Sequence, residues 1–380
     1  MPTRILIAFG TRPEIIKLGP VYQALRNRRD VQIEVFWTGQ HIEFARGLLD
    51  LFGIAVTHNG AEVMNQPGMA SKFALMMQQI EAVLGNGGYD WIVVQGDTAT
   101  AAAAATAGFF NRVPVAHVEA GLRTGDLASP WPEEFNRRVI TLASALHFAP
   151  TVRAAENLRA DGVRDANIMV VGNTVVDALL FVSKRIANAY QPIDPMLSNL
   201  PPEKKLILAT LHRRENIGAP MREVLRALRT LAADGDKLIA LPLHLNPDVR
   251  KEVMSVLGGA LNVRMLAPLQ YPDFVYLLRR AWVVVTDSGG VQEEAPTFGL
   301  PILITRDTTE RPEVIEAGFG RLVGADYQRI VNEVRALTAS DHPQRVSGRN
   351  PFGTGDASER IAEALLLRHG RAARAMVFSA

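Results

Sequence analysis

Short apolar runs rich in β-branched residues alternate with longer segments of helical period along the whole chain. In the first half, Arg4–Phe9, Val31–Thr38, Trp91–Gln95, Pro114–Val118, Ala145–Ala149 and Ile168–Val171 read as strands. In the second half, Leu206–Thr210, Leu238–Pro242, Val263–Leu266, Trp282–Thr286 and Pro301–Thr305 read the same way. Several runs do not alternate: Ile92-Val93-Val94 and Val283-Val284-Val285 are apolar throughout. Such runs suit strands covered on both faces, which means a parallel sheet between layers of helix. Alternating strand and helix signals imply βαβ units. Gln191 to Lys205 carries Pro192, Pro195, Pro201 and Pro202 and reads as a linker. The predicted fold is α/β: a Rossmann-like doubly wound domain over 1–172, a bridging helix and linker over 173–205, and a second such domain over 206–356.

The polar signals gather where these runs end. Gly10-Thr11-Arg12-Pro13-Glu14, Gly96-Asp97-Thr98 and Glu119 to Asp126 follow strands of the first half. His212-Arg213-Arg214-Glu215, His244, Asp287-Ser288-Gly289-Gly290 and Arg306 to Arg311 follow strands of the second. Ligands of open α/β sheets bind beyond the carboxyl ends of the strands. Both domains therefore aim polar loops at one edge, and the two edges are expected to face each other across a cleft holding one shared site.

Composition narrows the chemistry. Lys and Arg number 41 against 39 Asp and Glu, a formal net charge of +2, with no basic block of the kind a nucleic-acid binder concentrates on one face. There is no cysteine, which excludes disulfides, thiolate metal sites and a cysteine nucleophile. The apolar run Ile5–Phe9 is too short for a signal peptide. The Ala-rich stretch Thr98–Phe110 falls short of the roughly 20 residues a membrane span needs and reads as a buried helix. The expectation is a cytoplasmic protein without a membrane partner.

Ser288-Gly289-Gly290 opens a helix after a strand, with Ser288 as its N-cap, a turn suited to phosphate. Glu294 lies one turn on, within reach of a ribose diol. No Gly-x-Gly-x-x-Gly follows a strand and no Gly-Lys-Ser/Thr is present, so dinucleotide redox and P-loop phosphoryl transfer are disfavoured and no cofactor is expected. Arg12 and Lys17 flank the start of a helix near Pro13, where cations oppose the helix dipole, so an anionic ligand would explain them better than a surface pair with Glu14. Asp97, Glu119 and Glu133 come from three loops and form a candidate acid–base set. Their structural readings are also open: Asp97 as a helix cap, and Glu133 and Glu134 as dipole-favoured acids of a first helical turn. The His117–Glu119 and His212–Glu215 strings have metal-like spacing, but neighbouring arginines repel a cation and no metal is expected.

Taken together, the strings resemble the non-hydrolysing UDP-N-acetylglucosamine 2-epimerases. The match runs in order through Gly10–Glu14, Gly96–Thr98, Val118–Thr124, Pro130–Arg137, Gly172–Thr174, Thr210–Asn216, Asp287–Pro296 and Asp307–Glu313. The resemblance implies a GT-B arrangement, with the C-terminal helix (about 357–380) returning to the first domain. It implies that Arg12, Lys17, Asp97, Glu119 and Glu133 serve the sugar and the catalysis. His212 (also a catalytic candidate), Phe274 against the uracil, Ser288, Gly289, Gly290, Glu294 and Arg311 would serve UDP. Gln40 and His41 match part of an activator pattern, with His244 beside them. The implied partners are a UDP-sugar substrate, a second UDP-N-acetylglucosamine as activator, and a further copy of the chain in a homodimer.

The implied reaction explains the residue types. The hydrogen on sugar carbon 2 is not beside a carbonyl, so simple proton exchange there is inaccessible. Expelling UDP from carbon 1 acidifies that hydrogen, and its loss leaves a 2-acetamidoglucal. Returning the proton to the opposite face and re-adding UDP completes the inversion. Anion-binding groups stabilise the leaving diphosphate and carboxylates handle the proton, while domain closure would exclude water. Two enzymes of related design remain open at this point, an epimerase of a modified UDP-sugar such as a 2,3-diacetamido uronic acid and a GT-B glycosyltransferase, together with a non-enzymatic nucleotide-sugar sensor.

Overall fold

The fold is that of a computed structural model, which describes residues 2–39, 42–187, 190–213 and 216–368. The chain divides into two compact units, one comprising Met1–Ala178 with the segment from Phe352 onward, the other Leu179–Pro351.

The first unit carries β1 (Thr3–Phe9), β2 (Val31–Trp37), β3 (His58–Asn59), β4 (Trp91–Gln95), β5 (Val115–Val118), β6 (Leu146–Ala149) and β7 (Ile168–Val170). They form a seven-stranded sheet in the order β3-β2-β1-β4-β5-β6-β7, parallel at every pairing. The second unit carries β8 (Lys205–Thr210), β9 (Lys237–Pro242), β10 (Val263–Leu266), β11 (Val283–Thr286), β12 (Ile302–Ile304) and β13 (Gly320–Leu322). Its parallel sheet runs β10-β9-β8-β11-β12-β13. Both are doubly wound sheets, as expected for the GT-B type. Each reverses its direction of winding once, between β1 and β4 and between β8 and β11, and that switch point is where such sheets open a crevice for ligand.

The unbroken apolar runs are the central strands: every residue of β4, β5 and β11 is buried. The Ala-rich helix Ala99–Phe110 lies against β4 and β5 of the first sheet, with Ala101 to Ala105 fully enclosed. Small side chains let this helix approach the sheet closely, which explains an apolar stretch too short for a membrane. No helix among the described residues is long and apolar enough to cross one.

Four features depart from the sequence reading or add to it. Strands β3 and β13, two and three residues long, carry no readable period. The helix that Glu133 and Glu134 open spans Glu133–Ala143 and ends before Leu146, which belongs to β6. The proline-rich segment is laid on the second unit: Leu197 and Leu200 are buried, and Asp273 accepts hydrogen bonds from Tyr190 Oη and from the amides of Ile193 and Asp194. The helix Ala357–Leu367 packs on the first unit, where Ser358 donates to Asp177 and Trp91 Nε1 donates to Leu365 O.

Candidate active site

The strand order makes neighbours of two loops that lie far apart in the chain. The turn after β1 and the turn after β4 flank the switch point of the first sheet. Glu14 joins them: its Oε2 accepts from the amides of Gly10 and Thr11 (3.0 and 2.7 Å) and from Thr11 Oγ1, and its Oε1 accepts from Thr98 Oγ1 at 2.7 Å. Glu14, weighed in the sequence as a surface partner for Arg12, is almost fully buried. Burial raises its pKa despite these four donors. Arg12 is the first residue of helix Arg12–Arg26, and Lys17 stands on the same helix.

Lys17 reaches Glu119, with Nζ 2.5 Å from Oε1. Asn173 Nδ2 donates to the same oxygen at 2.9 Å, and Gln95 Nε2 donates to Oε2. The backbone of Glu119 sits in the left-handed region, φ +62°, which costs a residue with a Cβ about 1 kcal/mol or more. Surroundings that over-determine the conformation hold it there, in this case the three donors from separate elements. His117, two residues earlier, is buried with Nε2 2.7 Å from Gly96 O, so neutral imidazole donates there and ties β5 to the Asp97 turn. Burial holds its pKa down at about 4.

Asp97 is clamped from the helix Glu133–Ala143. Arg137 Nε and Nη2 lie 2.9 and 2.8 Å from Asp97 Oδ2, and Asn136 Nδ2 donates to Asp97 O at 2.8 Å. The helix cap considered for Asp97 belongs instead to Thr98, whose hydroxyl accepts from Ala101 N. Glu134 is likewise no solvated first-turn acid. Fully buried, it accepts from the Thr124 amide, Arg137 and Arg138, and Arg138 and Arg123 both pair with Asp161. Glu133 opens the same helix, and its enclosed Oε2 has no hydrogen-bond partner among the described residues.

In the second unit the loops after β8 and β11 flank the corresponding switch point. Asp287, fully buried, binds them together: it accepts from the amides of His212 and Arg213 (3.1 and 3.0 Å) and from Asn216 Nδ2. His212 Nδ1 lies 3.3 Å from Asp287 Oδ1, and its ring stacks on His244 with centroids 5.4 Å apart. Burial lowers the pKa of His244. Ser288 holds the N-cap position of helix Gly289–Glu294, but its side chain makes no cap hydrogen bond. Its amide donates to Thr286 Oγ1 and its carbonyl accepts from Gln292. Gly289 is required by its neighbour, since a Cβ there would lie 2.9 Å from Arg311 Cζ. Arg311 is aimed by Glu293, whose Oε1 accepts from its Nε at 2.9 Å. Buried Glu294 accepts from Tyr271 Oη at 2.7 Å, and half-buried Phe274 lies on the helix that Tyr271 opens.

The structure thus joins Lys17 to Glu119 directly, sets Arg311 against the Ser288-Gly289 turn, and stacks His212 on His244. Gln40 and His41 lie outside the described residues. Sequence reasoning passed over the residues that hold these groups: Gln95, Glu134, Arg137, Asn173 and Asp287. All five lie in or beside strings read as motifs, but nothing in their spacing names their partners.

The sequence model of the family described as UDP-N-acetylglucosamine 2-epimerase matches residues 23–366. The chain is similar to a UDP-N-acetylglucosamine 2-epimerase of Escherichia coli K12, 42% identical over 368 residues, which span 95% of this chain and 98% of that one. It is similar to the enzyme so named from Campylobacter jejuni, 39% identical over 375 residues, 96% of this chain and 98% of that one. Among solved structures it is similar to the UDP-GlcNAc 2-epimerase of Neisseria meningitidis bound to UDP-GlcNAc, with a TM-score of 0.88 and 37% identity across 96% of this chain and 100% of that one. By the extent of these matches, the chain belongs to the UDP-N-acetylglucosamine 2-epimerase family.

Proposed function

We propose that the protein interconverts UDP-N-acetylglucosamine and UDP-N-acetylmannosamine by inverting sugar carbon 2, through loss of UDP to a 2-acetamidoglucal and its re-addition. The observation that carries this reading is a pair of carboxylates on adjacent strand ends, each held by its own cation, Glu119 by Lys17 and Asp97 by Arg137. A proton removed from one face of carbon 2 and returned to the other needs acid–base groups held in fixed, separate positions. The enclosed, unbonded Oε2 of Glu133 supplies a third carboxylate, ready to accept from a substrate hydroxyl or amide.

In this reading the second unit binds the nucleotide. Ser288, Gly289, Gly290, Arg311 and His212 stabilise the diphosphate as it leaves, and Arg12 is the anion-binding candidate of the first unit. Glu294 takes the ribose and Phe274 lies against the uracil. No residue has to change oxidation state and no group has to be carried by the protein. The homodimer and the activating second UDP-sugar implied by the resemblance belong to the same proposal, with His244, which stacks on His212, among the activator candidates.

The test is incubation with UDP-N-acetylglucosamine in deuterium oxide without any acceptor. Deuterium at carbon 2 of both epimers is expected. A protein that binds the substrate but yields neither deuterium nor epimer would overturn the assignment.

A further inference from the structure

Asn173 is buried, and the contacts of its side chain leave its amide group only one orientation. Its Oδ1 accepts from the Val175 amide at 3.1 Å, capping the first turn of helix Thr174–Arg185, so its Nδ2 must face Glu119 Oε1 at 2.9 Å. Its amide donates to Phe352 O at 2.6 Å, and its carbonyl accepts from Val176 N. Gly172 beside it packs equally tightly, since a Cβ there would lie 3.2 Å from Phe352 O and 3.3 Å from the Gly353 Cα. The chain passes out of the first unit along this helix, at Ala178, and re-enters at Phe352. One residue therefore touches the segment by which the chain leaves, the segment by which it returns, and a carboxylate held in left-handed backbone.

We propose that Asn173 is the positioning residue for Glu119: a neutral donor that fixes the Oε1 lone pair it faces and anchors that carboxylate to both chain crossings. The inference rests on the reading of Glu119 as a reacting carboxylate. Among the described residues, the groups about Glu119 include cationic Lys17 from the helix after β1, neutral Gln95 from β4 and the neutral, buried imidazole of His117 from β5. Among them Asn173 alone combines a helix cap with its donor, so the two roles can be separated by substitution. Asp at this position keeps the cap, because a carboxylate accepts from Val175 N at least as well, but turns a donor into a second negative charge against Glu119. Ser also keeps a cap and simply removes the donor.

The experiment compares the full-length wild type, Asn173→Asp and Asn173→Ser for thermal midpoint, for kcat and KM with UDP-N-acetylglucosamine between pH 5.5 and 9.5, and for the pH titration of the Glu119 carboxyl resonance in 13C-glutamate-labelled protein, assigned with Glu119→Gln. With both variants folded, the expected result is an upward move of one pH unit or more in the Glu119 titration and in the acidic limb of kcat for Asn173→Asp. Its kcat at pH 7 should lie at least tenfold below that of Asn173→Ser, with KM within threefold. An unmoved titration with the two variants within threefold of each other overturns the proposal. If Asn173→Asp does not fold, Asn173→Ser decides: a tenfold loss of kcat at unchanged KM supports the role, and a smaller loss overturns it. If the wild type exchanges no deuterium, the proposed function fails on its own account, while the resonance titration still decides Asn173.

Discussion

The candidate site residues of the two units rely on paired carboxylates in opposite ways. In the first, Asp97 and Glu119 face charged side chains brought from elsewhere in the chain, Arg137 and Lys17, and the carboxylates themselves are the proposed reacting groups. In the second, Asp287 and Glu293 stand behind the site: one gathers the amides of His212 and Arg213, the other aims Arg311. The first arrangement stores fixed charge, and the second fixes loop shape. A reaction that moves a proton on the sugar while expelling an anion needs both. The difference teaches that the burial of an acid does not by itself tell whether it reacts or supports.

Substitution should separate the two uses, and the largest effect is expected at Glu119. Glu119→Gln keeps the volume and the donors from Asn173 and Gln95 but removes the charge, so kcat for epimerisation should fall by roughly 10²–10⁴-fold. UDP affinity, measured by titration calorimetry, should stay within a few-fold because the proposed nucleotide residues stand mainly on the other unit. Asp287→Ala should do the reverse. Two amides lose their acceptor in an enclosed place, which costs about 3 kcal/mol by the usual penalty for orphaned buried donors, and UDP binding should weaken before any change at carbon 2 is seen. Equal losses of UDP affinity in the two variants would erase the contrast.

How far this contrast was legible in the chain differs from residue to residue. The apolar runs located the central strands because buried parallel strands need such runs, and polar strings at their ends marked the site. Their order in the sheet was not legible, and it is the order that puts Gly10–Glu14 beside Gly96–Thr98. Arg137 lies 40 positions from Asp97 and Asn173 lies 54 from Glu119. Such pairs leave no local period. Glu134 reads from spacing as an ordinary first-turn acid, and only the loop at Thr124 and the arginines folded over it make it a core group. Where a residue's role depends on what lies next to it in sequence, as with the Thr98 cap, a one-residue shift was enough to misassign it.

Acid should weaken the first unit earlier than the second. Burial holds His147 at about 3 and His117 at about 4, against 6.5 for a free imidazole. Below pH 6.5 the unfolded chain takes up protons that these two groups refuse until about pH 4 and 3. Each therefore removes about 1.4 kcal/mol of stability per pH unit within its window. Against the burial that would raise it, hydrogen bonds from Tyr89, His58 and Arg4 bring Glu34 to about 2, and Arg306 does the same for Glu310 in the second unit. Those two stabilise the fold above pH 4.5 and are lost only between 4.5 and 2. Glu14 and Asp177, raised by burial, slope the other way, so the imidazole part is best read as a difference. Urea unfolding at pH 7 and pH 5 should show a smaller acid loss for His147→Gln than for the wild type, and the same loss in both would refute the assignment.

The smallest effect should come from charge that is not enclosed, even within the first unit. The helix Ala357–Leu367 is attached there in two ways: Ser358 donates to Asp177 in the interior, and Arg28 Nη2 pairs with Glu359 Oε2 at 2.8 Å, with side chains 38% and 55% exposed. Water competes for the exposed pair, and both long side chains must give up rotamers to make it. A double-mutant cycle on Arg28→Ala and Glu359→Ala should return a coupling of about 0.2–1 kcal/mol, and 1 M salt should abolish it, since the screening length there falls to about 3 Å. Ser358→Ala should cost about 1–3 kcal/mol by stranding part of a buried carboxylate, and salt should leave that loss unchanged. A salt-resistant Arg28–Glu359 coupling as large as the Ser358 effect would mean that exposure does not govern the strength of these attachments, and the contrast between the units would then have to rest on geometry alone.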